Sequence, residues 1–165
     1  MERDQQDPRW LAWVERMDEE LAKFLSETVS DMPENPWTAE GLRRAEQAAL
    51  ERFPESGYED RPENRELVDQ FARFLGEVFR RNFEGEWYNV PEYDDENRSR
   101  GFGPVIQEGY NPMYLDVIPL LGTAIVRRTG EEWTTIFGYS QQDYAKWVEH
   151  GRPPLEEWVN RDIDD

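Results

Sequence analysis

The sequence predicts an α+β fold that is mostly helical, with a small antiparallel hairpin or sheet packed on about four to five helices. Up to Gly85, apolar side chains recur at spacings of three and four residues, as they do on one face of an α-helix. After Gly85 the pattern changes to short runs of aromatic and β-branched residues, which are typical of strands. The 165 residues are enough to enclose one sizeable core, so we expect a single domain over residues 1–165.

The first helix is predicted over residues 8–29. Asp7 can accept hydrogen bonds from the free amides of a first turn, and Pro8 already has the backbone angle of a helix. Residues 1–7 are expected to form a flexible tail before this helix. The stripe expected to face the core consists of Trp10, Val14, Met17, Leu21 and Phe24, supplemented by Leu11, Trp13 and Leu25.

Two more helices are expected before the junction at Gly85. Pro33 and Pro36 interrupt the first pattern, and the next helix is predicted from about Thr38 to Phe53. A third helix should begin at Pro62 and end near Gly85, where a residue without a side chain favours helix termination. Its inward stripe consists of Leu67, Phe71, Phe74, Leu75 and Val78.

The hairpin is predicted immediately after Gly85. Residues 87–90 favour a strand, and Val105 with Ile106 favours its antiparallel neighbour. Residues 91–104 between them form a long polar loop. Two strands alone are only marginally stable in water, so the hairpin must pack on the helices.

The remainder of the chain is predicted to be helical with one ambiguous segment. Asn111 and Pro112 are typical of a helix start, although Pro119 could kink that helix or delay its regular part to about residue 118. Residues 133–139 fit a third strand or a short helical turn equally well.

The C-terminal part contains one more helix signal. Residues 140–143 resemble a capping box and predict a helix over residues 141–149. A last turn is expected over residues 155–159, and residues 160–165 are expected to form a flexible tail.

Short motifs around the junction resemble a known group of proteins. The run Pro36–Glu46, the Leu-Gly-Glu sequence within Phe74–Val78 and the Gly-Glu-Trp sequence at Gly85–Trp87 resemble uncharacterised actinobacterial small domains of unknown function. The resemblance covers about residues 36–138 and implies helices that lead through a Leu-Gly-Glu helix to a Gly-x-Trp strand. It implies no defined activity. Similar helix-then-hairpin proteins occur near bacterial conflict systems, which favours an immunity or accessory role.

Charge sets the expected partners. The formal net charge is −18 at pH 7, so attraction to nucleic acid or to an anionic membrane is disfavoured, and a protein with a basic surface is favoured. The plainer interpretation is that the surplus carboxylates only keep the protein dissolved or suit a salty interior. The N-terminus lacks a secretory signal and the apolar stretch at 117–126 is too short for a membrane span, so we expect a cytoplasmic location.

The sequence predicts no catalytic residue, no cofactor and no metal site. Cysteine is absent, which removes disulfides, thiolate nucleophiles and zinc sites of the cysteine kinds. His150 has no local partner for a catalytic triad or a metal site. Glu77 and Glu86 could meet as a carboxylate pair, but ion pairs of Glu77 with arginines three and four residues away on the same helix explain it more simply.

Candidate partner-binding residues lie in the polar loop and near the C-terminus. Tyr93 stands beside the carboxylates of Asp94, Asp95 and Glu96, and tyrosine supplies contact area and a hydrogen bond at low entropic cost. The spacing of these carboxylates is not that of a calcium loop. Trp147 and Trp158 lie on short elements flanked by charges and would serve as interface anchors if they were exposed.

The function expected from these observations is that of a non-enzymatic, acidic protein-binding protein, for example an immunity factor or an inhibitor of a basic partner. One alternative is a mimic of nucleic acid that blocks a DNA- or RNA-binding protein, which requires carboxylates in rows on one face. The other is an enzyme that uses Glu77 or Glu86.

Overall fold

The computed structural model describes residues 2–93, 95–96 and 102–161. Within them the α-helices are α1 (Glu2–Gln5), α2 (Pro8–Glu15), α3 (Met17–Lys23), α4 (Ala39–Arg52), α5 (Arg65–Asn82), α6 (Val117–Arg127), α7 (Glu132–Glu149) and α8 (Leu155–Asn160). The strands β1 (Glu86–Asn89), β2 (Pro104–Gln107) and β3 (Leu115–Asp116) form one antiparallel sheet in that order. The α+β class is therefore confirmed. None of the described helices combines the length and the apolar character needed to cross a bilayer.

The predicted first helix is divided into three parts. The Asp7 carboxylate accepts a hydrogen bond from the Arg9 amide at 2.9 Å, as the capping signal predicts, but α2 ends at Glu15 and a π-helical turn, Phe24–Thr28, follows α3. The buried residues of α2 are Trp10 and Trp13. The expectation that Leu11 and Val14 face the core is wrong, because Leu11 is 47% exposed and Val14 is 38% exposed.

Helix α5 is the centre of the fold. Every residue from 70 to 79 is buried, and α5 contacts α3, α4, α6 and the first two strands. The predicted start at Pro62 is a 3₁₀ turn, Pro62–Asn64, that leads directly into the α-helix. Helix α4 begins after Thr38 as predicted, and the Thr38 hydroxyl accepts from the Gly41 amide at 3.2 Å.

A buried arginine joins α2 to α5. The Arg73 side chain donates to the Trp13 carbonyl at 2.7 Å and to Asp69 at 2.7 Å, and its guanidinium lies 4.1 Å from the centre of the Trp13 ring. The Trp13 indole also donates to Asp69 at 2.6 Å. These contacts give partners to two of the three guanidinium nitrogens of a residue that is only 2% exposed, as burial of a charge requires.

The hairpin is confirmed and has a third strand that the sequence did not predict. Trp87 pairs with Ile106, and Ile106 pairs in turn with Leu115 on β3. The predicted helix start at residues 111–112 is wrong, because the Asn111 side chain accepts from the Met113 amide and forms a turn that leads into β3. Helix α6 starts only at Val117, so Pro119 falls in its first turn, where no amide hydrogen is needed.

Helix α7 replaces two predicted elements. Residues 133–139 and the apparent capping box at 140–143 all lie inside one helix of 18 residues. Its first turn is capped by Glu46 of α4, whose carboxylate accepts from the amides of Glu132 at 3.1 Å and Trp133 at 2.8 Å. The helix therefore starts where a residue distant in sequence supplies the cap.

Residues at the N-terminus contact the sheet. The Gln5 side chain donates to the Asn89 carbonyl at 2.8 Å and accepts from the Asn89 amide at 2.9 Å, while the Asn89 side chain donates to the Asp4 carbonyl at 2.8 Å. Asp4 and Gln5 thus have defined partners on β1. The flexibility expected for residues 1–7 and 160–165 stays a prediction, and residues 162–165 lie outside the described part of the chain.

Candidate functional site

The junction between α5 and β1 explains the glycine of the Leu-Gly-Glu motif. A Cβ atom on Gly76 would lie 2.1 Å from the Trp87 ring, so only glycine lets the indole pack against α5. The Trp87 indole donates to the Glu77 carboxylate at 2.9 Å, and the Trp13 ring meets the Trp87 ring edge-on at 5.0 Å. The motif residues therefore lock the strand to the helix.

Glu77 is held as an ion at this junction. Its oxygens accept from Arg80 through two nitrogens, one of them at 3.1 Å, and from Arg81 at 3.2 Å. Burial alone would raise the pKa of Glu77, but the hydrogen bonds from Arg80 and Trp87 outweigh it and lower the pKa. A carboxylate that is ionised and fully occupied by donors is poorly suited to accept a proton from a substrate near neutral pH.

Glu86 lines the same shallow depression as Glu77. This depression has a volume of about 490 Å³ and lies between α2, α3, α5 and β1. Glu86 itself is exposed. Within residues 2–93, 95–96 and 102–161, no three side chains of the metal-binding kinds come together, so the two carboxylates lack a third ligand there.

The predicted contact loop is partly described. The Tyr93 hydroxyl donates to the Asp4 carboxylate, the Arg3 guanidinium lies 6.0 Å from the Tyr93 ring, and the side chain is 38% exposed. Asp95 and Glu96 are exposed. Asp94 lies outside the described residues. Tyr93 therefore faces the N-terminal helix and still presents part of its ring to solvent.

Trp147 and Trp158 are not exposed. Trp147 donates its indole hydrogen to the Pro153 carbonyl at 2.9 Å and packs on Gly109, where an added Cβ would lie 2.9 Å from the ring. Trp158 is 4% exposed and lies between the His150 ring at 5.2 Å and the Arg161 guanidinium at 3.5 Å. Both rings are buried, so the condition under which they would serve as interface anchors, exposure to solvent, is not met.

A cleft that the sequence did not reveal lies at the end of β2. Its volume is about 500 Å³, and its lining comes from the sheet and from the segment that connects α7 to α8. We name it the β2 cleft. The lining residues relevant to its chemistry are Glu84, Glu86, Tyr88, Glu108, Trp147 and Arg152.

Glu108 is the most unusual group in the β2 cleft. Its side chain is 3% exposed, and among the described residues its Oε1 atom has no hydrogen-bond partner. Burial raises the pKa of Glu108 to about 7; the Tyr110 hydroxyl offsets part of this rise and the charge of Asp143 adds to it. The Tyr110 hydroxyl is also buried without a well-aligned partner in the described chain.

Glu84 and Arg152 form the rim of the β2 cleft. Both have a left-handed backbone, with φ of 55° and 56°, which is uncommon for residues other than glycine. Their side chains pair at 2.9 Å, and the Tyr144 hydroxyl donates to Glu84 at 2.6 Å. Hydrogen bonds from Tyr144 and then Arg152 lower the pKa of Glu84. The rim therefore carries a fixed carboxylate and a fixed guanidinium.

The outward side of α6 is apolar. Ile118, Pro119, Gly122 and Val126 fall within about 100° of arc at 3.6 residues per turn. Ile118 is 44% exposed and Val126 is 64% exposed. We call these four residues, with Met113 and Tyr114 just before them, the α6 outer face.

Carboxylates lie at one end of the α6 outer face. Asp116 is exposed between Tyr114 and Ile118 in the sequence, and burial of part of its side chain, with the charge of Glu92 nearby, raises the pKa of Asp116. Because its buried side is also apolar, helix α6 is apolar on both its inward and its outward sides. An outward apolar side on a helix is typical of an interaction surface.

Comparison with known proteins gives no relative. No protein-family model, no curated protein and no solved structure matches the chain. The resemblance to uncharacterised actinobacterial small domains therefore stays a prediction. Any function must therefore be inferred from the chain's own sequence and structure.

Proposed function

We propose that the chain is a non-enzymatic, cytoplasmic protein that binds another protein through the α6 outer face and the acidic surface around it, as an immunity factor or an inhibitor of a basic partner does. The observation that carries the proposal is an apolar, outward-facing helix side on a chain with a net charge of −18. Acidity alone would serve solubility. The apolar side chains, in contrast, reduce solubility unless a partner covers them.

The distribution of carboxylates supports electrostatic attraction to such a partner. Within the described residues, only Glu20, Glu46, Glu77 and Glu108 are buried among the acidic side chains. Most of the negative charge therefore faces solvent, where it can act on an approaching protein within about one Debye length. Such attraction raises the association rate more than it lowers the dissociation rate.

The α6 outer face favours a foreign protein over a second copy of the chain. A two-fold contact would bring Asp116 and Glu92 of both copies together and would join two bodies of net charge −18. A partner with an apolar surface rimmed by Lys and Arg meets neither penalty. The α6 outer face would be its central contact, since hot spots lie at the middle of an interface and charges at its rim.

The test is affinity capture from the cells that produce the chain, followed by binding measurements with the purified partner. The double variant Ile118→Ser with Val126→Ser should lose at least about tenfold in affinity, which is about 1.4 kcal/mol. The control is Tyr139→Ser, which changes a side chain that is 65% exposed on α7. It should bind like the unchanged chain.

The dependence of binding on salt concentration tests the electrostatic part of the proposal. Raising the salt from about 50 mM to about 500 mM should lower the association rate and leave the dissociation rate nearly constant. The proposal fails if the captured protein is acidic, or if the double variant binds as tightly as the Tyr139→Ser control. If duplex DNA or RNA competes for the same partner, the chain acts as a nucleic-acid mimic and the present proposal is overturned.

A further inference from the structure

We propose that the depression between α2, α3, α5 and β1 binds an extended segment of another protein, which pairs with the backbone of Trp87 and places a basic side chain beside Glu86. We call this surface the β1 depression. It shares no residue with the α6 outer face, so its test is independent of the proposed function. Its volume of about 490 Å³ lies in the range of ligand pockets, about 300 to 1,000 Å³.

The outer edge of β1 presents a pair of backbone groups that has no partner in the described chain. The Val90 amide donates to the Gly103 carbonyl at 2.8 Å, which fixes the alternation of the ladder between β1 and β2. In an antiparallel pair, successive residues direct their N–H and C=O groups toward the neighbouring strand and away from it in turn. The groups of Trp87 and Asn89 therefore point away from β2. Gln5 occupies those of Asn89, and no described group bonds to those of Trp87.

Such an edge suits an extended peptide. A donor and an acceptor side by side on one residue match the acceptor and the donor of a residue in another extended chain, as in recognition by strand addition. The pairing is limited on one side by Gln5 at Asn89 and on the other by the Gly85 amide, which donates to the Arg80 carbonyl at 3.1 Å. The segment therefore pairs with β1 at one residue, and its side chains must supply the remaining affinity.

An apolar side chain of the segment has a place on the face of the sheet that carries the Trp87 ring. This ring meets Trp13 of α2, and Val14 and Met17 line the β1 depression beside it. Residues that face each other on paired strands have their side chains on the same face of the sheet. An apolar residue opposite Trp87 would therefore cover Val14, which is 38% exposed. Leu11, about one turn earlier on α2 and 47% exposed, extends the apolar surface.

Charge selects a basic residue next to the apolar one. Glu15, Asp18 and Glu86 line the β1 depression, and none of them forms an ion pair with a described residue. The cationic lining residue of the described chain, Arg80, is bound to Glu77. A positively charged segment would meet carboxylates without counter-ions, and an acidic one would be repelled. Because side chains alternate along an extended chain, the neighbours of the apolar residue lie on the Glu86 side of the sheet.

The experiment titrates the full chain with short peptides and follows the backbone amide signal of Trp87 by NMR. The probe is acetyl-Lys-Ile-Lys N-methylamide, which has an apolar residue between two basic ones. One control peptide carries a methyl group on the isoleucine nitrogen, so it keeps the charges and side chains and loses one hydrogen-bond donor. The other is acetyl-Glu-Ile-Glu N-methylamide. The probe should shift the Trp87 signal, and each control should bind at least about tenfold more weakly.

Two valine variants add the same charge at different places. Val14→Lys puts a cation in the β1 depression and should weaken binding of the probe by at least about tenfold. Val159→Lys adds the cation on α8 and should leave binding unchanged. Both valines are exposed, 38% at Val14 and 41% at Val159, so both variants should fold, and thermal unfolding checks this.

Three results would overturn the proposal. Equal binding of the N-methylated control and the probe would mean that the carboxylates attract any cationic peptide without strand pairing. Unchanged binding by Val14→Lys would place the peptide elsewhere on the chain. The third result is an unchanged Trp87 signal at about 10 mM probe, a concentration that detects even a Kd of about 1 mM. Each of these results leaves the α6 outer face untouched.

Discussion

The Trp87 ring occupies the space that a side chain at position 76 would need, so only glycine fits there. The indole of Trp87 on β1 then donates to the Glu77 carboxylate on α5, which also accepts hydrogen bonds from Arg80 and Arg81. This is a packing role for residues that resemble a family motif. The carboxylate of Glu77 therefore uses its hydrogen-bond acceptors to join these elements of the fold.

Gly76→Ala should destabilise the fold by about 1 to 3 kcal/mol, because the new methyl group overpacks the Trp87 ring. The matched control is Gly122→Ala on α6, where an added Cβ meets nothing within 4 Å. That substitution should stabilise the chain by about 0.5 to 1 kcal/mol through helix propensity. Urea denaturation of both variants measures the difference. Equal effects would contradict the packing role of Gly76.

Glu108→Gln should stabilise the chain, and the gain should grow with pH. Because the pKa of Glu108 in the folded chain is raised to about 7, the folded state binds this proton more tightly than the unfolded state does. The free energy of unfolding therefore falls as pH rises from the unfolded pKa, about 4.5, through about 7. The full loss is about 3 kcal/mol at 1.36 kcal/mol per pKa unit.

Urea denaturation at about pH 5 and about pH 8 measures this change for the unchanged chain and for Glu108→Gln. The stability advantage of the variant should be larger at the higher pH. Glu51→Gln serves as the control, because an exposed carboxylate carries no such dependence. If Glu108→Gln were stabilised by the same amount at about pH 5 and at about pH 8, the pKa of Glu108 would not be raised in the folded chain.

Strand alternation shows why the sequence could not identify Glu108. Ile106 faces the core, and the residue two positions later falls on the same side of a strand. This places Glu108 inward. Glutamate is almost never fully buried without a partner, so composition and alternation give opposite answers and only the structure decides between them.

At the scale of elements, the parts predicted correctly are those that carry their own signals. Helix α4 has a threonine cap, α5 has a continuous inward stripe, and the hairpin follows a glycine. The parts predicted wrongly depend on distant contacts. Strand β3 is defined by pairing with β2, and the start of α7 is defined by Glu46.

Glu46→Gln should weaken the start of α7. The neutral amide retains one acceptor for two backbone amides and loses the negative charge that favours a helix N-terminus. We expect a loss of about 1 kcal/mol in the free energy of unfolding. Hydrogen exchange of the Trp133 amide should accelerate. An unchanged exchange rate would show that the carboxylate of Glu46 does not hold this turn.

At the scale of the whole molecule, repulsion among the surface carboxylates opposes folding. A net charge of −18 destabilises a compact state, because folding brings the charges closer together. Burial of the aromatic and aliphatic core offsets this repulsion. The same repulsion would favour a bound basic partner, which neutralises part of the surface.

Added sodium chloride should therefore stabilise the folded chain. Between about 20 mM and about 500 mM salt the Debye length shortens several-fold, and the melting temperature should increase. A neutral solute at the same osmolality controls for effects that are not electrostatic. A melting temperature that does not change with salt would show that the surface charges are already compensated within the fold.

The side-chain amide of Gln5 imitates a neighbouring strand, since it donates to the carbonyl and accepts from the amide of Asn89. The outer margin of β1 is thereby closed at this residue to pairing with a foreign strand. Exposed margins of sheets act as templates for intermolecular assembly. Gln5 thus occupies backbone groups of Asn89 that would otherwise be available to pair with a strand of another molecule.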